Sequence, residues 1–155
     1  MQFKQRTLMQ IADMICGNFE SDKSLFVYRS SSRLTEFFMD CDTDYVHDGS
    51  TRQSWVAETL RVILTEHQPG PNTPPDTFAR VIERLMDQSD AQNEEHDRPG
   101  AMTMLATTLA REGFEPFYAD DKKCYLRHVA TNTMQLHRSI HIGRSRPPNW
   151  CDAVN

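Results

Sequence analysis

The sequence predicts a mainly α, compact helical domain with a C-terminal β-hairpin. Its second half runs helix, helix, hairpin, the order of a winged helix. Three observations lead there. Apolar residues recur at helical spacing in several separate stretches. Late in the chain the period drops to two, as in a strand. Gly, Pro and Ser clusters punctuate the stretches in between.

The first helix is expected from Phe3 to Cys16. Leu8, Ile11, Ala12 and Ile15 fall at i, i+3, i+4 and i+7, one apolar stripe. Gly17 suits the left-handed C-terminal cap. "SDKSLFVYRSSS" then reads as a loop or short extended piece, anchored by Leu25, Phe26, Val27 and Tyr28. Ser30, Ser31 and Ser32 offer N-cap oxygens to a short helix, RLTEFFMD. Leu34, Phe37 and Phe38 give that helix a heavy aromatic face. These two rings and Trp55 are expected in the core, where aromatics at helical spacing usually sit.

The third helix is expected from about Thr51 to Glu66, with Val56, Leu60, Ile63 and Leu64 inward. "PGPNTPP" ends it. Thr73 reads as the next N-cap and Pro74 as the first helical residue. Phe78, Val81, Ile82, Leu85 and Met86 carry the clearest stripe in the chain. "DQSDAQNEEHDRPG" has no large apolar residue and is expected to be a mobile surface loop. A last strong helix follows from about Ala101 to Arg111, closed by Gly113. "FEPFYADDKKCYLRHV" then alternates as a hairpin turning at Asp120, Asp121 and Lys122. Met134, Leu136 and Ile140 suggest a short helix in the tail. The division expected is residues 1–129 as one domain and 130–155 as a C-terminal tail or short helix.

Bulk properties narrow the function. With 155 residues the chain suits one domain with a sizeable core. A formal charge of -5 argues against a broad nucleic-acid-binding surface. No apolar run approaches the roughly 20 residues of a membrane helix. The N-terminus also lacks the apolar core of a signal peptide. A cytoplasmic setting with no membrane partner is expected. The four cysteines, Cys16, Cys41, Cys124 and Cys151, form no CxxC pair. They read as reduced thiols, with Cys16 and Cys124 in the core.

Four constellations could carry chemistry. In "DYVHDGSTRQSWV", Ser50 stands three residues before Gln53, a capping-box pattern. Asp48 would favour the positive end of the helix dipole and Gly49 would permit the turn. His47 and Arg52 are left without a capping duty. A helix N-terminus beside an arginine is an anion site in outline. "YRSSSRL" offers Arg29, Arg33 and three hydroxyls before a second helix start. It can read as a further anion or nucleic-acid contact, or as an N-cap run with solvated arginines. Cys124, His128, His137 and His141 have metal-like side chains. Their spacing matches no zinc finger, so a buried thiol and three surface histidines is the commoner reading. In the winged-helix order, Thr103, Thr107, Thr108 and Arg111 would face outward. One arginine is thin support for phosphate contacts.

The phrases "YRSSSRLTEFF", "DYVHDGSTRQSWVAETL", "FARVIERLMD" and "LATTLAREGFEPFYADDKKCYLR" together resemble the N-terminal domain family of AbiJ-type abortive-infection proteins. The resemblance spans about Met1 to Val129, and the second phrase is its most specific part. It implies an accessory or sensing module of bacterial antiphage defence, paired with an effector such as a HEPN ribonuclease or a TIR-like domain. It brings no catalytic residue to these positions. Arg138 and His141 are too close for the HEPN pair, so the effector half is expected either as a separate partner or in a longer protein of which this sequence is a part.

The first expectation is therefore a non-enzymatic interaction module without a cofactor or metal. It would bind an effector protein or a second copy of itself, and sense an anionic ligand through Arg29, His47 and Arg52. The second is a nucleic-acid-binding regulator, using the winged-helix-like half and Arg138, Arg144 and Arg146. The third is a small hydrolase or nuclease with His47 as base and Asp48 as its orienter.

Overall fold

A computed structural model describes residues 1–18, 25–91 and 97–130. Five α-helices and one hairpin, with one 3-10 turn (Gln88–Ala91), are the elements of these residues. They are α1 (Gln5–Cys16), α2 (Ser31–Met39), α3 (Arg52–Leu64), α4 (Asp76–Leu85), α5 (Arg98–Ala110), β1 (Phe114–Tyr118) and β2 (Cys124–His128). The fold is mainly helical with a terminal hairpin, as the periodicities predict. No helix among the described residues is long and apolar enough to cross a membrane. The suggested tail helix lies outside the described residues.

The core forms where the predicted stripes meet. α1 packs along α3, which buries Leu8, Ile11 and Ile15 with Val56, Leu60 and Ile63. Phe38 is wholly buried and meets the edge of Trp55 at 5.5 Å between centroids. The neighbouring Phe37 is also buried and packs edge-on against Phe38. Phe3 bridges the two halves by touching Phe78 of α4 and Phe114 of β1. Cys16, Cys41 and Cys124 are all buried among these residues.

The helix ends differ from expectation more than the helix faces do. α1 stops as predicted: Gly17 adopts φ 70° and its N–H reaches the carbonyl oxygen of Asp13 at 2.8 Å. At its start no local side chain caps α1. Glu112, beyond the end of α5, does so instead. One carboxylate oxygen accepts from the Lys4 N–H at 3.0 Å and from the Thr7 hydroxyl at 2.6 Å.

α2 begins after Ser30, but no serine side chain caps it; the Ser30 and Ser32 hydroxyls pair with each other at 3.3 Å. The capping box at α3 does not form either. Thr51 is the N-cap residue, without a side-chain cap bond. Asp48 captures Ser50 first, accepting from both its N–H (2.9 Å) and its hydroxyl (2.5 Å). That Asx turn holds Ser50 outside the helix. The Gln53 amide points to α1, donating to the Met9 carbonyl at 3.4 Å.

The start of α4 is displaced from Thr73 to Pro75, and the reason is steric. A proline disfavours helical geometry in the residue before it. Pro75 therefore keeps Pro74 out of the helix, and Pro75 itself is extended, with ψ 148°. The Thr73 hydroxyl donates to the Pro71 carbonyl instead. α5 starts three residues earlier than expected. Asp97 caps it by accepting from the Gly100 N–H at 2.9 Å, with Pro99 in the first turn. Nor is all of the polar stretch before it an irregular loop, since Gln88–Ala91 form a 3-10 turn.

The hairpin has the predicted turn. Its antiparallel register runs from Phe114 opposite His128 to Tyr118 opposite Cys124. Lys122 takes φ 68° in the turn, where the Ala119 N–H meets the Lys123 carbonyl at 3.0 Å. β1 packs on α5 and β2 on α4, so the winged-helix element order folds into one body with its helices.

Candidate functional site

The two polar phrases "YRSSSR" and "DYVHDGSTR" meet in space. Arg52 joins them. Its Nε donates to the Arg29 carbonyl at 3.0 Å. Its Nη2 donates to the Cys16 carbonyl at 3.1 Å and the Asn18 side chain at 2.8 Å. One guanidinium thus ties the end of α1, the entry to α2 and the start of α3 together. The group also lies 4.7 Å from the ring of Tyr28, which is itself 62% exposed.

Arg29 turns inward. It is only 4% exposed. Its Nη1 donates to the carbonyl oxygens of Ile15 (2.9 Å) and Val27 (3.4 Å), and its Nη2 meets Asp90 at 3.3 Å. The guanidinium lies 4.7 Å above Phe37. Burial lowers its pKa to about 10, and the Asp90 carboxylate opposes that shift. Arg84 of α4 meets the same Asp90 oxygen at 3.0 Å and lies 5.8 Å from the same ring. The sequence reading missed Arg84 and Asp90. No local signal marks them, because Asp90 is 61 positions from Arg29 and sits in a stretch read as solvent-facing.

His47 has other partners. No hydrogen bond or ring contact joins it to Arg29 or Arg52 among the described residues. Its backbone N–H donates to the Thr35 hydroxyl at 3.0 Å, and its Nδ1 accepts from the Gly49 N–H at 3.1 Å. Its ring meets Trp55 at 5.0 Å. Its Nε2 is buried without a hydrogen-bond partner among the described residues. The adjacent Asp48 is bonded to Ser50, which lowers its carboxyl pKa. It makes no hydrogen bond with the imidazole that would orient a base.

The other candidates are distributed rather than gathered. Burial pushes the Cys16 thiol up to about 11, and Cys41 and Cys124 up to about 12, the reverse of an activated thiolate. Cys124 and His128 are the two ends of β2, roughly 13 Å apart along a strand. No single ion reaches both at bonding distance. His137 and His141 lie outside the described residues, as do Arg138, Arg144 and Arg146. On α5, Thr108 is buried rather than outward. Thr103 and Thr107 donate to carbonyls of their own helix, and Arg111 donates to Gln10. A wider Arg–His pair, Arg61 and His67, stands six positions apart in the sequence. Arg61 donates to Glu58 at 3.1 Å and to Gln5, whereas His67 is exposed beyond the end of α3.

No protein-family model, curated protein or solved structure matches this chain.

Proposed function

We propose that this chain is a non-enzymatic accessory or sensing module of a bacterial antiphage system, of the AbiJ N-terminal kind, working in the cytoplasm. It binds an effector protein or a second copy of itself, and takes an anionic ligand. The observation that carries this reading is the engagement of Arg29 and Arg52. Side chains that would serve a reaction at the surface instead brace three helices against one another. Beside the brace Tyr28 is exposed, and elsewhere on the surface Met39 and Val46 are more than half exposed as well. Such side chains suit contact with another protein better than chemistry.

The test combines phage plating with recovery of the tagged chain from cells carrying its genomic neighbourhood. Loss of phage resistance on deletion, with recovery of a neighbouring effector or a dimer, is the expected result. A Val46→Asp variant should keep the fold and lose that partner. A monomer without effector whose deletion leaves plating unchanged would overturn the reading. So would tight binding to generic DNA or RNA that weakens steeply with salt, which belongs to a nucleic-acid regulator.

A further inference from the structure

Arg29 and Arg84 form an unusual pair. Two guanidiniums face one aromatic ring, and one oxygen of Asp90 lies between them at 3.3 and 3.0 Å. Like charges this close need an anion between them. The question is whether Asp90 is an integral part of that arrangement or the occupant of a site.

Three observations favour an occupant. First, both arginines are held without Asp90. Arg29 is fixed by the carbonyls of Ile15 and Val27, and Arg84 by Asp40 through its Nε at 3.1 Å. The clamp is preorganised, so it need not be built when an anion arrives. Second, Asp90 is more sheltered than the three residues that precede it. Asp87, Gln88 and Ser89 are exposed, and Ser89 bonds back to Asp87 rather than to the body of the domain. Third, Arg84 lines a cleft of about 540 Å³ between the exit of α2, α4 and the hairpin turn. That volume suits a small molecule. In this cleft Asp42 and Glu83 are paired with Arg80 and Lys123, while the carboxylates of Asp87 and Asp121, which also line it, accept from Ser89 and from the Lys123 N–H and the Tyr125 hydroxyl. Lys122 has no ion pair among the described residues and is held at φ 68°.

We propose that Arg29 and Arg84 are the binding site for a phosphate-class oxyanion, and that Asp90 is its built-in competitor. An incoming anion enters by the charged cleft, takes the place of the Asp90 carboxylate and releases the 88–91 turn. The guanidinium fork suits a phosphate as it suits a carboxylate. This inference rests on the reading of the domain as a sensor. It places the anionic ligand at Arg29 and Arg84, and makes the turn before α5 the element that responds.

The experiment is a titration of the whole chain with inorganic phosphate, by calorimetry and thermal shift, in wild type and Asp90→Asn. Removing the competitor should tighten phosphate binding by about tenfold or more. Adding Arg84→Gln to Asp90→Asn should abolish it. Equal affinity in wild type and Asp90→Asn would overturn the displacement. Equal stabilisation by formate or chloride at matched ionic strength would reduce the site to an adventitious ion only, and overturn the proposal. If Asp90→Asn does not fold alone, amide exchange of wild-type Ser89 to Ala91 replaces it. Exchange should quicken in phosphate relative to chloride, and unchanged exchange refutes the idea. A mononucleotide arm separates sources: tighter binding than phosphate points to a phosphorylated small molecule, equal binding to free phosphate. Failure here leaves the partner-recovery test standing, so the two readings fall separately.

Discussion

Two arginine sites in this domain are built on opposite principles. At the junction of α1, α2 and α3, Arg52 is fastened to two main-chain carbonyls and an amide oxygen. In the lining of the charged cleft, Arg84 is fastened to two carboxylates. Arg29 reaches into both regions, with carbonyls on one Nη and Asp90 on the other. Carbonyl oxygens belong to a fixed main chain, so the first region is a brace. Carboxylates ride on movable side chains, so the second can exchange one anion for another. Identical guanidiniums thus make a rigid joint in one place and an exchangeable site in the other.

The largest effect should come from the residue the two regions share. Arg29→Met leaves the Ile15 carbonyl without its buried donor and Asp90 with Arg84 alone, and should cost about 3 kcal/mol. Urea denaturation measures it, and a loss below about 1 kcal/mol would show that the brace does not depend on this side chain. Next comes the chain crossing beside the brace. A Cβ at Gly17 would lie 2.3 Å from the Val27 carbonyl oxygen at a φ of 70°. One at Gly49, φ 89°, meets nothing within 4 Å. Gly17→Ala should therefore cost well over the roughly 1–2 kcal/mol of left-handed strain, whereas Gly49→Ala should cost about that alone. Equal losses in the two variants would remove the close approach as a constraint.

Smaller still is the remote cap. Glu112→Ala removes the acceptor from the start of α1 and should cost about 1 kcal/mol, as a lost N-cap does. Amide exchange at Lys4 should rise with it; unchanged exchange there would show that water caps the helix equally well. The smallest effect is expected at Ser50. Because its hydroxyl bonds Asp48 rather than the helix, Ser50→Ala should leave the denaturation midpoint nearly unmoved. A drop as large as that of Glu112→Ala would restore the capping box.

The predicted faces are legible for a simple reason. Burial follows from a local period, and Leu8, Leu34, Val56 and Phe78 each lie on stripes that their neighbours define. Helix starts are less legible, because several groups compete for the same backbone donors. Asp48 takes Ser50 from its box, Pro75 holds Pro74 out of its helix, and Glu112 caps a helix more than a hundred positions away. The candidate residues divide the same way. Sequence singles out Arg29 and Arg52 because they lie in conspicuous polar phrases. It leaves Arg84 and Asp90 unmarked, since an acid in a polar stretch looks solvated until a buried arginine is found facing it.

By itself, the sequence determined the mainly helical class, the terminal hairpin with its turn, and the aromatic core of Phe37, Phe38 and Phe78. Local hydrophobic period and turn chemistry suffice for that. Tertiary structure alone decided what the polar residues do. A hydrogen bond or ion pair depends on which oxygen lies within about 3 Å, and that oxygen belongs to a segment placed by packing. Arg29, read from sequence as a surface ligand group, became a buried link between a helix end and Asp90 because α1, α2 and the 3-10 turn converge around it.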